Sequence, residues 1–285
     1  MKLSTLRVKI LILRLTVCGV SLVTLKPAQA IELYTMTEPC DLVQVDTNTG
    51  TQTTVGNLGL SVEGLAFNNS GELYASVQPG FCGAHGSATH LARIDPSTAA
   101  VQIIGAFGFS DVNAIAFRPD GTLFGASAGS DKLFEVDLVT GAGTPIGSIG
   151  FPFVGGLEFL SNELLVGSGV FHPGGGSNTF ASIDPATGMG MTIGTFNFDT
   201  IAGLTLGSDG VLYGLSDTAG GGAGAIISVD PTTGAGTFVQ SVQSPRFRAA
   251  LAARKQFPEV PTPTAVLHFG IAGILSALRR QRQRQ

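Results

Sequence analysis

The stretch Val62-Glu63-Gly64-Leu65-Ala66-Phe67, Asn68-Asn69-Ser70-Gly71, Glu72-Leu73-Tyr74-Ala75-Ser76 reads as two short strands around a tight turn. Aliphatic and aromatic residues fill both strand segments, and Asn, Ser and Gly supply the turn between them. After a longer loop comes His90-Leu91-Ala92-Arg93-Ile94-Asp95, then a turn at Pro96-Ser97-Thr98, then Val101-Gln102-Ile103-Ile104-Gly105. The unit therefore has four short strands.

The unit recurs. Its second-strand pair appears as Leu33-Tyr34, Leu73-Tyr74, Leu123-Phe124, Leu164-Leu165 and Leu212-Tyr213, at intervals of 40, 50, 41 and 48 residues. Each pair is followed by an Asp-centred turn, at Asp46, Asp95, Asp137, Asp184 and Asp230. The first strand returns as Ala114-Ile115-Ala116-Phe117, Gly156-Leu157-Glu158-Phe159 and Gly203-Leu204-Thr205-Leu206. Hairpin signals return at Asp120-Gly121 and Asp209-Gly210. A period of this length, built from strands and turns, predicts an all-β protein, a β-propeller with four-stranded blades. An Asp present in every unit is expected to cap its own turn through its side chain.

The chain enters the repeat in mid-unit. Leu33-Tyr34, Leu42-Val43-Gln44-Val45 and Thr53-Thr54-Val55-Gly56 supply a second, third and fourth strand. The missing first strand is expected at Phe247-Arg248-Ala249-Ala250-Leu251-Ala252, near the other end. Pairing the N- and C-terminal strands would close a five-bladed ring and remove two sheet edges.

Charged residues make up 13% of the chain, and there are 40 Gly and no Trp. The formal net charge of −4 conceals an asymmetry. Between residues 31 and 258 there are 19 Asp/Glu against 7 Lys/Arg. Nucleic acid is not an expected partner of so acidic a body, because phosphate binding needs a basic surface.

Residues 1–30 read as a secretory signal peptide. Lys2, Arg7, Lys9 and Arg14 precede a short apolar run from residue 15 to 25, and Ala28-Gln29-Ala30 offers small residues at Ala28 and Ala30 for signal peptidase. At the other end stand Pro258-Glu259-Val260-Pro261-Thr262-Pro263, an apolar run over residues 265–278, and Arg279-Arg280-Gln281-Arg282-Gln283-Arg284. This tail, residues 258–285, resembles the PEP-CTERM class of bacterial sorting signals, in the variant with Pro-Thr-Pro (Pro261, Thr262, Pro263). Val260 departs from it, since the commonest form has a second Pro directly after the Glu. The resemblance implies a transient stay in the inner membrane through a short transmembrane helix. It also implies processing by an exosortase-type protease and delivery to the envelope, outer surface or extracellular matrix of a Gram-negative-type bacterium. The residues agree in outline. About fourteen residues at ~1.5 Å rise span ~21 Å, short of a ~30 Å hydrocarbon core, and the basic tail should stay cytoplasmic. Residues 31–257 are thus left as the propeller. Their Gly-Leu-Ala-Phe, Asp-Gly and Leu-Tyr phrases resemble the broad NHL/YncE-like propeller superfamily, a likeness that speaks to fold and carries no function.

In this topology the loops between second and third strands share a face with the blade-to-blade connections. These loops vary in length: residues 77–89, 169–178 and 218–225 are long, and 128–131 is short. Variation at one loop position marks a candidate working face. His85, His90 and His172 all lie on or beside it. They are weak metal candidates, without an HxxxH helix or cysteine pair to support them. Cys40 and Cys82 occupy the same loop position in neighbouring blades, and in an oxidising compartment are expected to form a disulfide. Phe107-Gly108-Phe109, Phe151-Pro152-Phe153 and Phe196-Asn197-Phe198 recur between blades, where one Phe of each is expected to pack.

No nucleophile elbow, paired-carboxylate site, phosphate loop or HExxH occurs. The expected function is binding or display at the cell surface or in the extracellular matrix, with a glycan or envelope component as partner and no catalytic residue or cofactor. The alternative is a secreted propeller enzyme of lyase, lactonase or hydrolase type, with those histidines converging on Asp111 or Asp199 at the central mouth.

Overall fold

The computed structural model describes residues 31–254 apart from 38, 84–86, 152, 162, 170–178, 199, 217–223 and 243–249. The expected signal peptide, the sorting tail and its apolar segment, His85, His172 and Asp199 lie outside the described residues. No helix among the described residues is long and apolar enough to cross a membrane.

Among the described residues, twenty strands form five four-stranded antiparallel sheets. The closing blade combines β1 (Glu32–Thr37), β2 (Asp41–Asp46) and β3 (Gln52–Asn57) with the last strand of the chain. The second blade holds β4 (Ser61–Phe67), β5 (Leu73–Gln78), β6 (His90–Ile94) and β7 (Val101–Ala106). The third holds β8 (Val112–Phe117), β9 (Leu123–Ser127), β10 (Lys132–Val136) and β11 (Gly143–Ser148). The fourth holds β12 (Val154–Phe159), β13 (Leu165–Gly169), β14 (Thr179–Ile183) and β15 (Gly190–Thr195). The fifth holds β16 (Ile201–Leu206), β17 (Leu212–Ser216), β18 (Gly224–Val229) and β19 (Gly236–Val242). Strand β20 (Leu251–Ala253) then joins β1, with Leu33 opposite Ala253, Tyr34 opposite Ala252 and Thr35 opposite Leu251. The innermost strands β4, β8, β12, β16 and β20 touch in a closed circle. The chain is a five-bladed β-propeller whose two ends meet in one sheet.

The repeated phrase has a packing reason. In three blades the aromatic residue of the second strand meets the first-strand Phe of the next blade edge-on: Tyr34 on Phe67 at 5.3 Å, Tyr74 on Phe117 at 5.3 Å, and Phe124 on Phe159 at 5.2 Å between ring centres. Such pairs add about 0.5–1.5 kcal/mol each beyond area burial. Five apolar clusters fill the five junctions between blades. Both faces of each blade are therefore covered, which is why the inner strands read as continuous apolar runs with little alternation. The outermost strands are half exposed and rich in Thr and Gly.

Two readings of the repeat need correction. The fourth second-strand pair is Leu165-Val166, one residue later than Leu164-Leu165. Leu165 stands opposite Phe159 as Leu123 stands opposite Phe117, while Leu164 precedes the strand. The cause is Glu163, which occupies with φ +64° the left-handed turn position that Gly71, Gly121 and Gly210 hold in the other blades. Its amide donates to Leu160 O as the Gly121 amide donates to Arg118 O. The inter-blade motif is likewise Ile149-Gly150-Phe151, not Phe151-Pro152-Phe153. The Gly143 amide donates to Phe107 O and the Gly190 amide to Ile149 O, so Ile149 corresponds to Phe107. Phe107, Ile149, Phe151 and Phe196 are buried at the junctions.

Candidate functional site

On the upper face, which carries the loops between second and third strands, Cys40 and Cys82 form a disulfide across the junction of the closing blade and its neighbour, with Cα atoms 6.0 Å apart. His90 opens β6, the third strand from the axis, and its Nδ1 lies 2.8 Å from the Thr89 hydroxyl. Asp111 stands beside the inner strand β8, with φ +49° and its amide donating to the Ser87 hydroxyl at 3.3 Å. Of the histidines singled out in the sequence, only His90 is among the described residues, and it is paired with its neighbouring threonine. Among the described residues no three His, Cys, Asp or Glu side chains are grouped as a metal site would require.

The five turn aspartates lie on the opposite, lower face and serve those turns. Asp46 accepts the amides of Asn48 and Thr49, Asp95 that of Ser97, Asp137 those of Val139 and Thr140, Asp184 that of Ala186, and Asp230 that of Thr232. Hydrogen bonds to the charged form hold all five carboxyls below their ordinary range. The largest cause is the amide of Thr49 for Asp46, of Thr140 for Asp137 and of Thr232 for Asp230, and the hydroxyl of Ser97 for Asp95 and of Thr187 for Asp184. Groups so acidic are poor proton donors near neutral pH.

The axis carries polar side chains that the sequence reading did not single out. In the four blades with a fully described first strand, the register with the second strand skips one residue: Glu63, Asn113, Gly155 and Ala202. Each bulge turns its extra residue toward a small axial cavity of about 10 Å³, the room of roughly one water molecule. Glu63 and Asn113 are 3% and 2% exposed there. Both amide atoms of Asn113 lack a hydrogen-bond partner within the protein. The cavity is too narrow for an organic ligand of ordinary size.

The lower face has a larger concavity. A groove of about 460 Å³ runs along the junction where the ring is sealed. It is lined by Glu72 directly before β5, by Arg93 on β6 and Gln102 on β7, by Asp95 and Ser97 of the Asp turn, and by Arg254 directly after β20. Arg93 Nη1 donates to Glu72 Oε1 at 3.0 Å and Nη2 to Gln102 Oε1 at 3.0 Å. Arg254 is held more loosely, with Nη1 3.9 Å from Glu32 Oε2. Both guanidinium groups remain about half exposed.

The other blades do not reproduce this set. The register places Glu135 and Thr144 where the second blade has Arg93 and Gln102. Ser182 and Met191 stand there in the fourth blade, Ser228 and Thr237 in the fifth, and Gln44 and Thr53 in the closing one. On a scaffold that otherwise repeats, this group is an exception.

No family model matches the chain, and neither does any curated protein. Solved structures do share its fold. A chain of the nidogen/laminin complex superposes with a TM-score of 0.55 at 11% identity, covering 80% of this chain and 100% of that one. A Bacteroides caccae protein of unknown function gives 0.51 at 11% identity, with the same coverages. TolB from Acinetobacter baumannii gives 0.47 at 13% identity, over 78% of this chain and 66% of that one. At such identities the likeness concerns architecture alone. Fold and disulfide together define the class: a five-bladed β-propeller with a disulfide between adjacent blades.

Proposed function

We propose that this is an exported propeller of the bacterial cell envelope or extracellular matrix, which acts by binding and display and is processed at its C-terminus by an exosortase-type enzyme. The observation that carries the reading is the Cys40–Cys82 disulfide. Such bonds persist in oxidising compartments and are rare in the cytosol. The two ends of the sequence are consistent with that destination: a basic then apolar leader ending at Ala28-Gln29-Ala30, and a tail with Pro261-Thr262-Pro263 before an apolar run and four arginines. The rigid ring, sealed by its own termini, suits a scaffold that presents a surface.

The test is fractionation of a bacterium expressing the full chain, with intact-mass measurement under non-reducing conditions. The reading expects protein outside the cytoplasm, lacking residues 1–30 and the basic tail, with Cys40 and Cys82 oxidised. Protein that stays in the cytoplasm with both ends intact and two free thiols would overturn it.

A further inference from the structure

We infer that the lower-face groove at the sealed junction is a binding site for a neutral, polyhydroxylated ligand, a saccharide of the envelope or matrix. The inference rests on the binding function proposed above and gives it a place and a chemistry.

Three observations carry it. The groove, at about 460 Å³, lies in the range of small-molecule sites. Its polar groups are planar and of mixed charge: Glu72, Arg93 and Gln102, an anion, a cation and a neutral amide, are linked in a row, and Asp95 and Arg254 also line the groove. Vicinal hydroxyls both donate and accept, so they match carboxylate, amide and guanidinium edges presented side by side. Arg93 has five N–H donors, of which Glu72 and Gln102 engage one each, and the remainder are available to a ligand. Finally, this row occurs at one junction only, whereas the corresponding positions of the third, fourth and fifth blades hold Glu135 with Thr144, Ser182 with Met191, and Ser228 with Thr237.

The charges also argue against an ionic ligand. Arg93 is already paired with Glu72, and Arg254 stands beside Glu32. An anion would have to compete with these carboxylates, and a cation with the two guanidinium groups. A neutral ligand can hydrogen-bond to both signs without displacing either partner. Ordering of these half-exposed side chains favours weak affinity for one sugar unit and useful affinity for a polymer that presents many.

The test applies the exported, processed protein to an array of neutral oligosaccharides derived from cellulose, chitin, mannan and starch, with sialylated and sulfated glycans alongside. Arg93→Ala and Gln102→Ala variants are run in parallel. Thr144→Ala, at the corresponding outer-strand position of the next blade, serves as the control. Unchanged melting temperature and an intact Cys40–Cys82 bond establish folding, and Gln102, on an outer strand, is the change least able to disturb the ring. The expected result is binding to a neutral glycan that falls at least tenfold in both groove variants and not in the control. Binding that survives both substitutions would place the ligand elsewhere and leave the general binding function standing. Signal confined to sulfated or sialylated glycans, or no signal from neutral ones, would overturn the inference. None of these outcomes alters the export result, which is measured separately.

Discussion

Gly105, on the outer strand of one blade, lies against the carbonyl of Thr140 in the Asp turn of the next, so close that a Cβ on Gly105 would overlap the Thr140 oxygen. The same approach recurs between Gly147 and Thr187 and between Gly194 and Thr233. At the junction of the fifth and closing blades the register puts Gln240 in this place, with its Oε1 against Gly50. The outer edges of neighbouring blades are thus locked by backbone contact, in addition to the aromatic pairs nearer the middle.

Gly105→Ala is therefore expected to force the junction apart, at a cost of about 1–3 kcal/mol or more. Gly59→Ala is the informative comparison. Gly59 has φ +68° and nothing within 4 Å of a built Cβ, so backbone strain of about 1–2 kcal/mol applies there, less about 0.4–1 kcal/mol for the stiffer unfolded chain, and no contact is lost. Urea unfolding of the two variants should rank Gly105→Ala as the more damaging. Equal or reversed costs would remove the contact from the account.

Glu163 gives a change of opposite sign. It holds the left-handed turn position that glycine fills in three other blades. Glu163→Gly should release about 1–2 kcal/mol of backbone strain, less about 0.4–1 kcal/mol for the freer unfolded chain. A net gain of roughly 0.5–1 kcal/mol is expected from these two terms. A lower urea midpoint for the variant would contradict it.

This residue also shows how far the sequence could be read. The period, the four strands per unit, the Asp turns, the disulfide and ring closure are local or periodic signals, and all are visible in one dimension. In the fourth unit the sequence pattern points one residue early, because glutamate stands where glycine marks the turn elsewhere. At Phe151 the sequence pattern points two residues late, because Ile149 replaces the first Phe. The groove left no trace in sequence. Glu72, Arg93, Gln102 and Arg254 lie on or beside separate strands, the last some 150 positions further along the chain, and they meet only because the ring closes. The axial residues Glu63 and Asn113 were hidden for another reason. Each sits in a strand that reads as apolar, and the bulge that turns it to the axis has no composition of its own.

Acid should weaken the fold. The five turn carboxyls have folded pKa values below the ordinary range of about 3.9. Their stabilisation is then complete above that range and is lost as pH falls through the lowered folded values. The urea midpoint should be flat from pH 7 to about 5 and drop steadily below about 4. A variant with Asp137→Asn should show a shallower drop. A midpoint that holds constant down to pH 2.5 would be inconsistent with the hydrogen-bonded turns.

Reduction of the Cys40–Cys82 disulfide frees a loop with a sequence separation of 42. Loop-closure entropy for that length corresponds to about 4 kcal/mol. Cys82→Ser should lower stability by about 2–4 kcal/mol, and dithiothreitol should do the same to the native protein while leaving the variant unchanged. Identical unfolding curves with and without reductant would show that the bond contributes nothing to the ring.

The most direct measurement concerns the sealing strand. In the full chain, Ala252→Pro removes the β20 amide that faces Tyr34, since the Arg254 amide two residues on donates to Glu32 O while the Ala253 amide points away to the Thr205 hydroxyl. Amide hydrogen exchange across Glu32–Thr37 and across β4 should then accelerate by about 100-fold or more, an opening that is at least 2.7 kcal/mol easier. Exchange in residues 32–37 that matches the unsubstituted protein would mean that the two ends of the chain do not share a sheet, and the five-bladed ring would have to be abandoned.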